Sequence, residues 1–311
     1  MKRFYLSLLV CIVFLSIGSI CTISAAERKP IKQAFSLVIR EGFGSLTVGD
    51  LNTTLSSRNT YRYWWLRESD PKWIAGELVE VPDRFKDWEA EFQWAAWKGL
   101  SVGFAISGPI RLHDKGSVSY VYGEAETNSV DSEIRVAVPV KFNLFYSLPI
   151  FSKLNLVING GIGLYHARMT QIYEYLYFDN PATETTGSYQ FDVSGNKTGY
   201  HCGFALEYKL NNRVSMMAES QWRFAKIKSL KGSSDLTLES YESNQLISSE
   251  SDSQEGYLYH YIVTGDYGFY QEELGVYADP STIEDEVSDL RKAFLDLSGF
   301  TFKIGLRIRL F

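Results

Sequence analysis

Apolar and polar residues alternate one for one over stretch after stretch of this chain. Phe300, Phe302, Ile304, Leu306, Ile308 and Leu310 form one face of a segment whose other face is Thr301, Lys303, Gly305, Arg307 and Arg309. A period of two marks a strand with one face in an apolar phase and one in a polar phase. Upstream, Ile134, Val136, Val138, Val140, Phe142 and Leu144 alternate with Glu133, Arg135, Ala137, Pro139, Lys141 and Asn143. Leu154, Leu156, Ile158, Ile162 and Leu164 alternate with Asn155, Asn159, Gly161 and Gly163. Tyr200, Phe204, Leu206 and Tyr208 oppose His201, Glu207 and Lys209, and Val214, Met216, Ala218 and Trp222 oppose Ser215, Glu219, Gln221 and Arg223. Trp88, Phe92 and Trp94 oppose Glu89, Glu91 and Gln93, and Leu100, Val102, Phe104 and Ile106 oppose Ser101 and Gly103. The first strand runs from about Phe35 to Val48. There Arg40 and Glu41 are adjacent, so one of them must point the wrong way unless a bulge intervenes.

These segments predict eight strands. Their connections alternate between short and long. The short ones lie near Trp97 to Gly99, Leu148 to Lys153, and Asn211 to Asn212. The long ones run about Asp50 to Asp87, Arg111 to Val130, Ile172 to Lys197, and 229–293. An even strand number with short periplasmic turns and long outer loops is the arrangement of an outer-membrane barrel. The expected fold is therefore all-β: an eight-stranded antiparallel transmembrane β-barrel, with long external loops and short periplasmic turns. A secreted soluble β protein is the alternative, but it has no reason to segregate its loops in this way.

Cost decides which face meets lipid. Each Lys or Arg on the lipid face near the midplane costs roughly 2–4 kcal/mol. Lys303, Arg307 and Arg309 must then point inward, opposite their Phe, Ile and Leu neighbours. By the same phase Glu89, Glu91, Glu133, Arg135, Lys141, Glu207, Lys209, Glu219 and Arg223 are expected inside. Eight strands leave an interior that side chains can fill. Acids and bases meeting there suggest a polar plug instead of an open pore.

The ends and the composition narrow the picture. Lys2 and Arg3 precede an apolar run from Phe4 to Ile20, followed by Ser24, Ala25 and Ala26. This is the grammar of a secretory signal, residues 1–26, ahead of a barrel domain at 27–311. A retained membrane anchor is the other reading of the run. After cleavage Cys202 is the one cysteine left, so no internal disulfide or cysteine metal site is expected. A formal charge of −6 does not favour a nucleic-acid partner. Aromatics at 15% with a mean hydropathy of −0.14 suit alternating strands, not continuous apolar segments.

The loops hold few candidates for chemistry. Tyr61, Tyr63, Trp64, Trp65 and Trp73 in the first loop read as an aromatic girdle at the membrane interface or as a contact surface. In 229–293, the segment from Tyr257 to Val263 and the aromatics from Tyr267 read as a hairpin. Ser281 with Glu284 matches a capping box, and Ile283, Val287, Leu290 and Phe294 recur at helical spacing, so a short helix is expected there. Glu284, Asp285 and Glu286 suit a helix start better than a cation site. The histidines are His113, His166, His201 and His260. His166 and His201 fall near one rim on adjacent strands, the one hint of an enzyme; no metal or cofactor is expected.

The terminal strand ends on Phe311, one residue out of step with the apolar face. A C-terminal strand finishing in Phe resembles the ending of bacterial outer-membrane barrels, and the whole mature chain is similar in pattern to the small eight-stranded group that includes the OmpA transmembrane domain, OmpX and OmpW. The resemblance implies outer-membrane localisation, Phe311 as an assembly signal, and the barrel-assembly machinery, membrane lipid and lipopolysaccharide as partners. The resemblance carries no functional motif; with few candidates for chemistry in the loops, a non-enzymatic scaffold, adhesion or surface-contact role is expected. An OmpW-like narrow conduit for small apolar solutes is the rival, and an outer-membrane lipid-modifying enzyme a third class.

Overall fold

A computed structural model describes residues 35–69, 73–122, 124–180, 183–243, 245–264, 270–283 and 287–310. The signal at 1–26, the Glu284 to Glu286 run and Phe311 lie outside the described residues.

The first part of the chain forms β1 (Phe35–Ser45), β2 (Val48–Gly49), α1 (Asp50–Ser69), β3 (Trp73–Glu77), β4 (Arg84–Trp97), β5 (Leu100–Ser107) and β6 (Ile110–Tyr122). Three long strands follow: β7 (Glu124–Pro149), β8 (Leu154–Asn180) and β9 (Thr183–Lys209). The last part forms β10 (Val214–Phe224), β11 (Lys226–Ile227), β12 (Lys231–Glu242), β13 (Gln245–Thr264) and β14 (Tyr270–Tyr277). It ends with β15 (Val287–Lys292), β16 (Leu295–Asp296) and β17 (Gly299–Arg309).

The alternating segments of the sequence correspond to β1, β4, β5, β7, β8, β9, β10 and β17. Each pairs antiparallel with the next in that order, and β17 pairs with β1. More strands are present than the eight expected, because the segments read as loops are themselves largely strand. β7, β8 and β9 have 26, 27 and 27 residues. A tilted strand needs only about 9–11 to cross a bilayer. Their excess runs on at one end, where β6, β12, β13 and β14 extend the sheet. The other end carries the short turns.

The interior therefore has two storeys. At the short-turn end the outward side chains are apolar, and the inward ones are mostly polar around a small apolar cluster of Val38, Phe145, Val157, Ala205 and Met217. In the extension the chemistry inverts. On β8 one outward row runs from Ile162 and Leu164, both exposed apolar residues, to His166 and Arg168. The inward row of the same strand runs from Asn155 and Asn159 to Tyr165, Ala167 and Met169, all buried. β9 behaves alike, with Glu207 and His201 giving way to Val193 and Phe191. The upper core continues through Leu112, Ile134, Val136, Leu258, Val276 and Leu297. The apolar side chains of the extension are thus gathered inside, away from water.

α1 closes the extension. Leu51 and Leu55, one turn apart, are buried in the upper core. Asn52 and Asn59 each donate to and accept from the backbone, at Val81 and Leu78 respectively. Arg58 pairs with Glu273 of β14, and Asp50 accepts from Arg291 at 2.6 and 3.1 Å. The residues of α1 fall in the segment from Asp50 to Asp87 that the alternation pattern predicts as loop. Tyr61, Tyr63, Trp64 and Trp65 lie on it and Trp73 opens β3, with side chains outside the described residues.

Two expectations for 229–293 fare differently. β13 and β14 pair as a hairpin, Thr264 opposite Tyr270. The expected helix is instead a 3-10 turn at Pro280–Thr282, capped by Asp279, followed by strand β15. Pairing of β15 with β13 outweighs the weak helical spacing of Ile283, Val287 and Leu290.

Candidate functional site

The lower interior is the densest gathering of charge among the described residues. Arg40 stands at its centre and pairs with Glu89 at 2.9 Å, with Glu91 and with Glu219. Gly305 makes room for it. A Cβ at Gly305 would lie 2.6 Å from Arg40 Cγ. Lys303 bridges Glu89 at 2.9 Å and Asp87 at 3.0 Å, and Lys141 reaches Glu89 at 2.5 Å. Amides complete the lattice. Asn143 donates to Glu91 at 2.7 Å and Asn159 to Glu219 at 2.8 Å, while His201 meets Asn143 at 2.5 Å.

Toward the short turns, Arg307 joins Glu207 at 2.7 Å and donates to Gln93 at 2.8 Å. Arg309 donates to Glu207 at 3.1 Å at the mouth, and Lys209 lines the same vestibule of about 530 Å³. At the other end Arg223 donates to the Leu297 carbonyl at 2.7 Å and lies over the Phe85 ring, directly beneath the apolar core. The lattice thus spans the lower storey. Its buried members among the described residues are five acids (Asp87, Glu89, Glu91, Glu207, Glu219) and five bases (Arg40, Lys141, Arg223, Lys303, Arg307). Equal numbers matter because an uncompensated buried charge is costly, whereas a paired and hydrogen-bonded one is tolerated.

The sequence alone does not choose between Arg40 and its neighbour Glu41 for the inward position. β1 keeps its register through both, so Arg40 turns in and Glu41 faces out, level with Trp88.

Glu133 and Arg135 require a correction. They were expected inside and they face outward, while Ile134 and Val136 are buried. Two causes combine. These residues sit in the extension, where the apolar face is the inner one. A register irregularity between Ala137 and Val140 also shifts the phase of β7 before Lys141. Arg135 pairs with Glu133 at 2.6 Å on the surface, and Arg111 joins the same carboxylate. Hydrogen bonds from Arg135 and then Arg111 hold the Glu133 carboxyl below its usual range. Arg135→Ala is therefore expected to leave the urea unfolding midpoint unchanged. A large drop would return Arg135 to the interior.

The histidines are not brought together. His166 is exposed on the outward face and meets Asn196 at 2.6 Å, whereas His201 is buried inside. His113 meets Asp131 at 2.9 Å, and His260 meets Glu272 at 2.9 Å in the extension. Among the described residues no histidine hydrogen-bonds a serine, and no cluster of His, Cys, Asp and Glu suits a metal ion.

No family model matches the chain, and no curated protein matches its sequence. Its fold is similar to solved outer-membrane proteins. The outer membrane protease OmpT from Escherichia coli aligns at 10% identity, over 92% of this chain and 100% of that one, with a TM-score of 0.37. A major outer membrane protein from Thermus thermophilus aligns at 10% identity over 90% and 100%, with a TM-score of 0.31. The outer membrane protein OprG from Pseudomonas aeruginosa aligns at 12% identity over 89% and 97%, with a TM-score of 0.33. Superpositions this loose carry no residue correspondence, so the functional reading rests on the side chains of this chain.

Proposed function

We propose that the chain is a bacterial outer-membrane protein in which β1, β4, β5, β7, β8, β9, β10 and β17 form an eight-stranded transmembrane barrel. The extension is a folded domain on the cell surface, and the short turns lie in the periplasm. Its role is that of a sealed scaffold or surface-contact protein without catalysis. The observation that carries this is the filled interior: a charge-balanced lattice below and an apolar core capped by α1 above. The outward belt of Ile39, Phe92, Phe104, Phe142, Leu144, Leu164, Phe204, Leu206, Ile304 and Leu306 supports the membrane placement, since each is exposed. Lipopolysaccharide and the barrel-assembly machinery are the partners this placement implies. The separation of His166 from His201 by the barrel wall supports a non-enzymatic role.

The purified monomer is expected to give a gel band that shifts on heating and to conduct negligibly in planar bilayers. Two seals are in series, so deleting α1 alone leaves conductance low. Steady, large conductance from the intact protein would replace the scaffold with the conduit. Recovery from cells as a soluble periplasmic protein would remove the barrel altogether.

A further inference from the structure

Just beyond the apolar belt, three arginines stand side by side on the outward face. Arg111, Arg135 and Arg168 occupy opposed register positions on β6, β7 and β8. Their side chains are 65%, 57% and 55% exposed. Like charges directly opposite one another across strands oppose pairing. The row is only partly compensated. Glu133 serves both Arg111 and Arg135, and Asp192 holds Arg168 through two contacts, one of 2.7 Å. Both acids lie one outward row farther from the belt. Two carboxylates thus face three guanidinia. A guanidinium has five donors in a fixed fork, so one carboxylate each leaves donors for a further anion.

Toward the belt the wall turns apolar within four residues. On β8 the outward row passes from Arg168 through His166 to Leu164 and Ile162. Two hollows follow the same line. A small polar one of about 110 Å³ lies among Glu133, Arg135, Arg168 and Thr170. Below it, one of about 550 Å³ has Val140 and Leu164 on its apolar side and His166, Asn196 and Lys197 on its polar side. Four strand residues rise about 13 Å along the strand, and less along the normal of a tilted strand. With Leu164 in hydrocarbon, the guanidinia stand at the level of the headgroups.

We propose that this stack seats a phosphorylated glycolipid of the outer leaflet; the inference rests on the membrane placement argued above. A phosphate binds between Arg135 and Arg168, whose forks match its oxygens. The sugar lies against His166, Asn196 and Lys197, and an acyl chain lies over Leu164 and Val140. The apolar continuation of the site is what selects a lipid over free phosphate.

The test uses the full chain purified in mild detergent, with retained lipid measured by native mass spectrometry. The probes are bis-phosphorylated lipid A, dephosphorylated lipid A of the same acylation, and inorganic phosphate as competitor. The variant Arg135→Gln/Arg168→Gln is compared with Arg213→Gln, a charge loss at the periplasmic turn. Wild type and Arg213→Gln are expected to prefer the phosphorylated lipid by about tenfold or more, and the double variant to lose that preference. Equal retention of both lipids by the wild type overturns the seat, as does an undiminished preference in the double variant. Displacement by equimolar inorganic phosphate overturns it too. The heat-shifted band is read in parallel. If the double variant keeps it, misfolding is not the cause of a lost preference. If the wild type lacks it, the barrel reading falls; if the wild type keeps it without discriminating the lipids, the seat alone falls.

Discussion

Arg40→Ala is expected to lower the unfolding free energy by about 3–5 kcal/mol, the cost of leaving buried charge without its partner. Three carboxylates, Glu89, Glu91 and Glu219, converge on that one guanidinium. Lys303 and Lys141 still cover Glu89, but Glu219 keeps only its amide contact with Asn159. Neutralising that acid should therefore relieve the variant. Arg40→Ala combined with Glu219→Gln should recover about 0.5–3 kcal/mol relative to additivity, the usual range for groups in direct contact. Urea unfolding in lipid vesicles measures both. A wild-type midpoint for Arg40→Ala would mean that the cage of acids does not form.

Phe191→Ala should cost about 3–5 kcal/mol, but in a different place. Phe191 is fully buried in the upper core, edge-on to Tyr189 at 6.3 Å between ring centroids. The void opens in the extension, above the lower storey. The variant is expected to lose the protease resistance of β12 to β15 while keeping its heat-shifted band. An unchanged digestion pattern would show that the upper core does not hold those strands. Loss of the band together with the resistance would show that the two storeys unfold as one.

The sequence made the lower storey legible because lipid and lumen impose opposite chemistry on alternate residues. Lys141, Glu207, Glu219, Lys303 and Arg307 could be assigned to the interior by parity alone. The upper storey was not legible by the same rule. Ile134 and Val136 alternate with Glu133 and Arg135 as cleanly as any membrane segment, and period-two alternation does not say which side is wet. The phase shift falls at Pro139, a residue that cannot donate to the ladder and so marks a bulge, but its presence does not say which side of the strand changes phase. The helix α1 gives no clear apolar stripe because, among its described side chains, the buried ones are Leu51 and Leu55 together with the polar Asp50, Thr54 and Arg58. Its hold comes from side-chain contacts, those of Asn52 and Asn59 with Val81 and Leu78 and those of Arg58 and Asp50 with Glu273 and Arg291, more than two hundred positions away. Position 40 was visible only as a conflict with its neighbour, and the conflict was settled by three acids drawn from two other strands.

Those distant contacts bear on the order of assembly. Ser36 is opposite Arg309 in the β1–β17 ladder, Arg58 meets Glu273, and Asp50 meets Arg291. Each joins the start of the chain to its end. Closing so long a loop is entropically expensive and gains nothing until the final contact forms. The lid and the last seam of the wall therefore wait for the same stretch of polypeptide. A nascent molecule lacking that stretch has Asp50 and Arg58 of α1 without their partners and its first strand without β17 on one side. Sealing is the closing event of biogenesis, so any quality-control step that detects an open seam detects an open lumen at the same time.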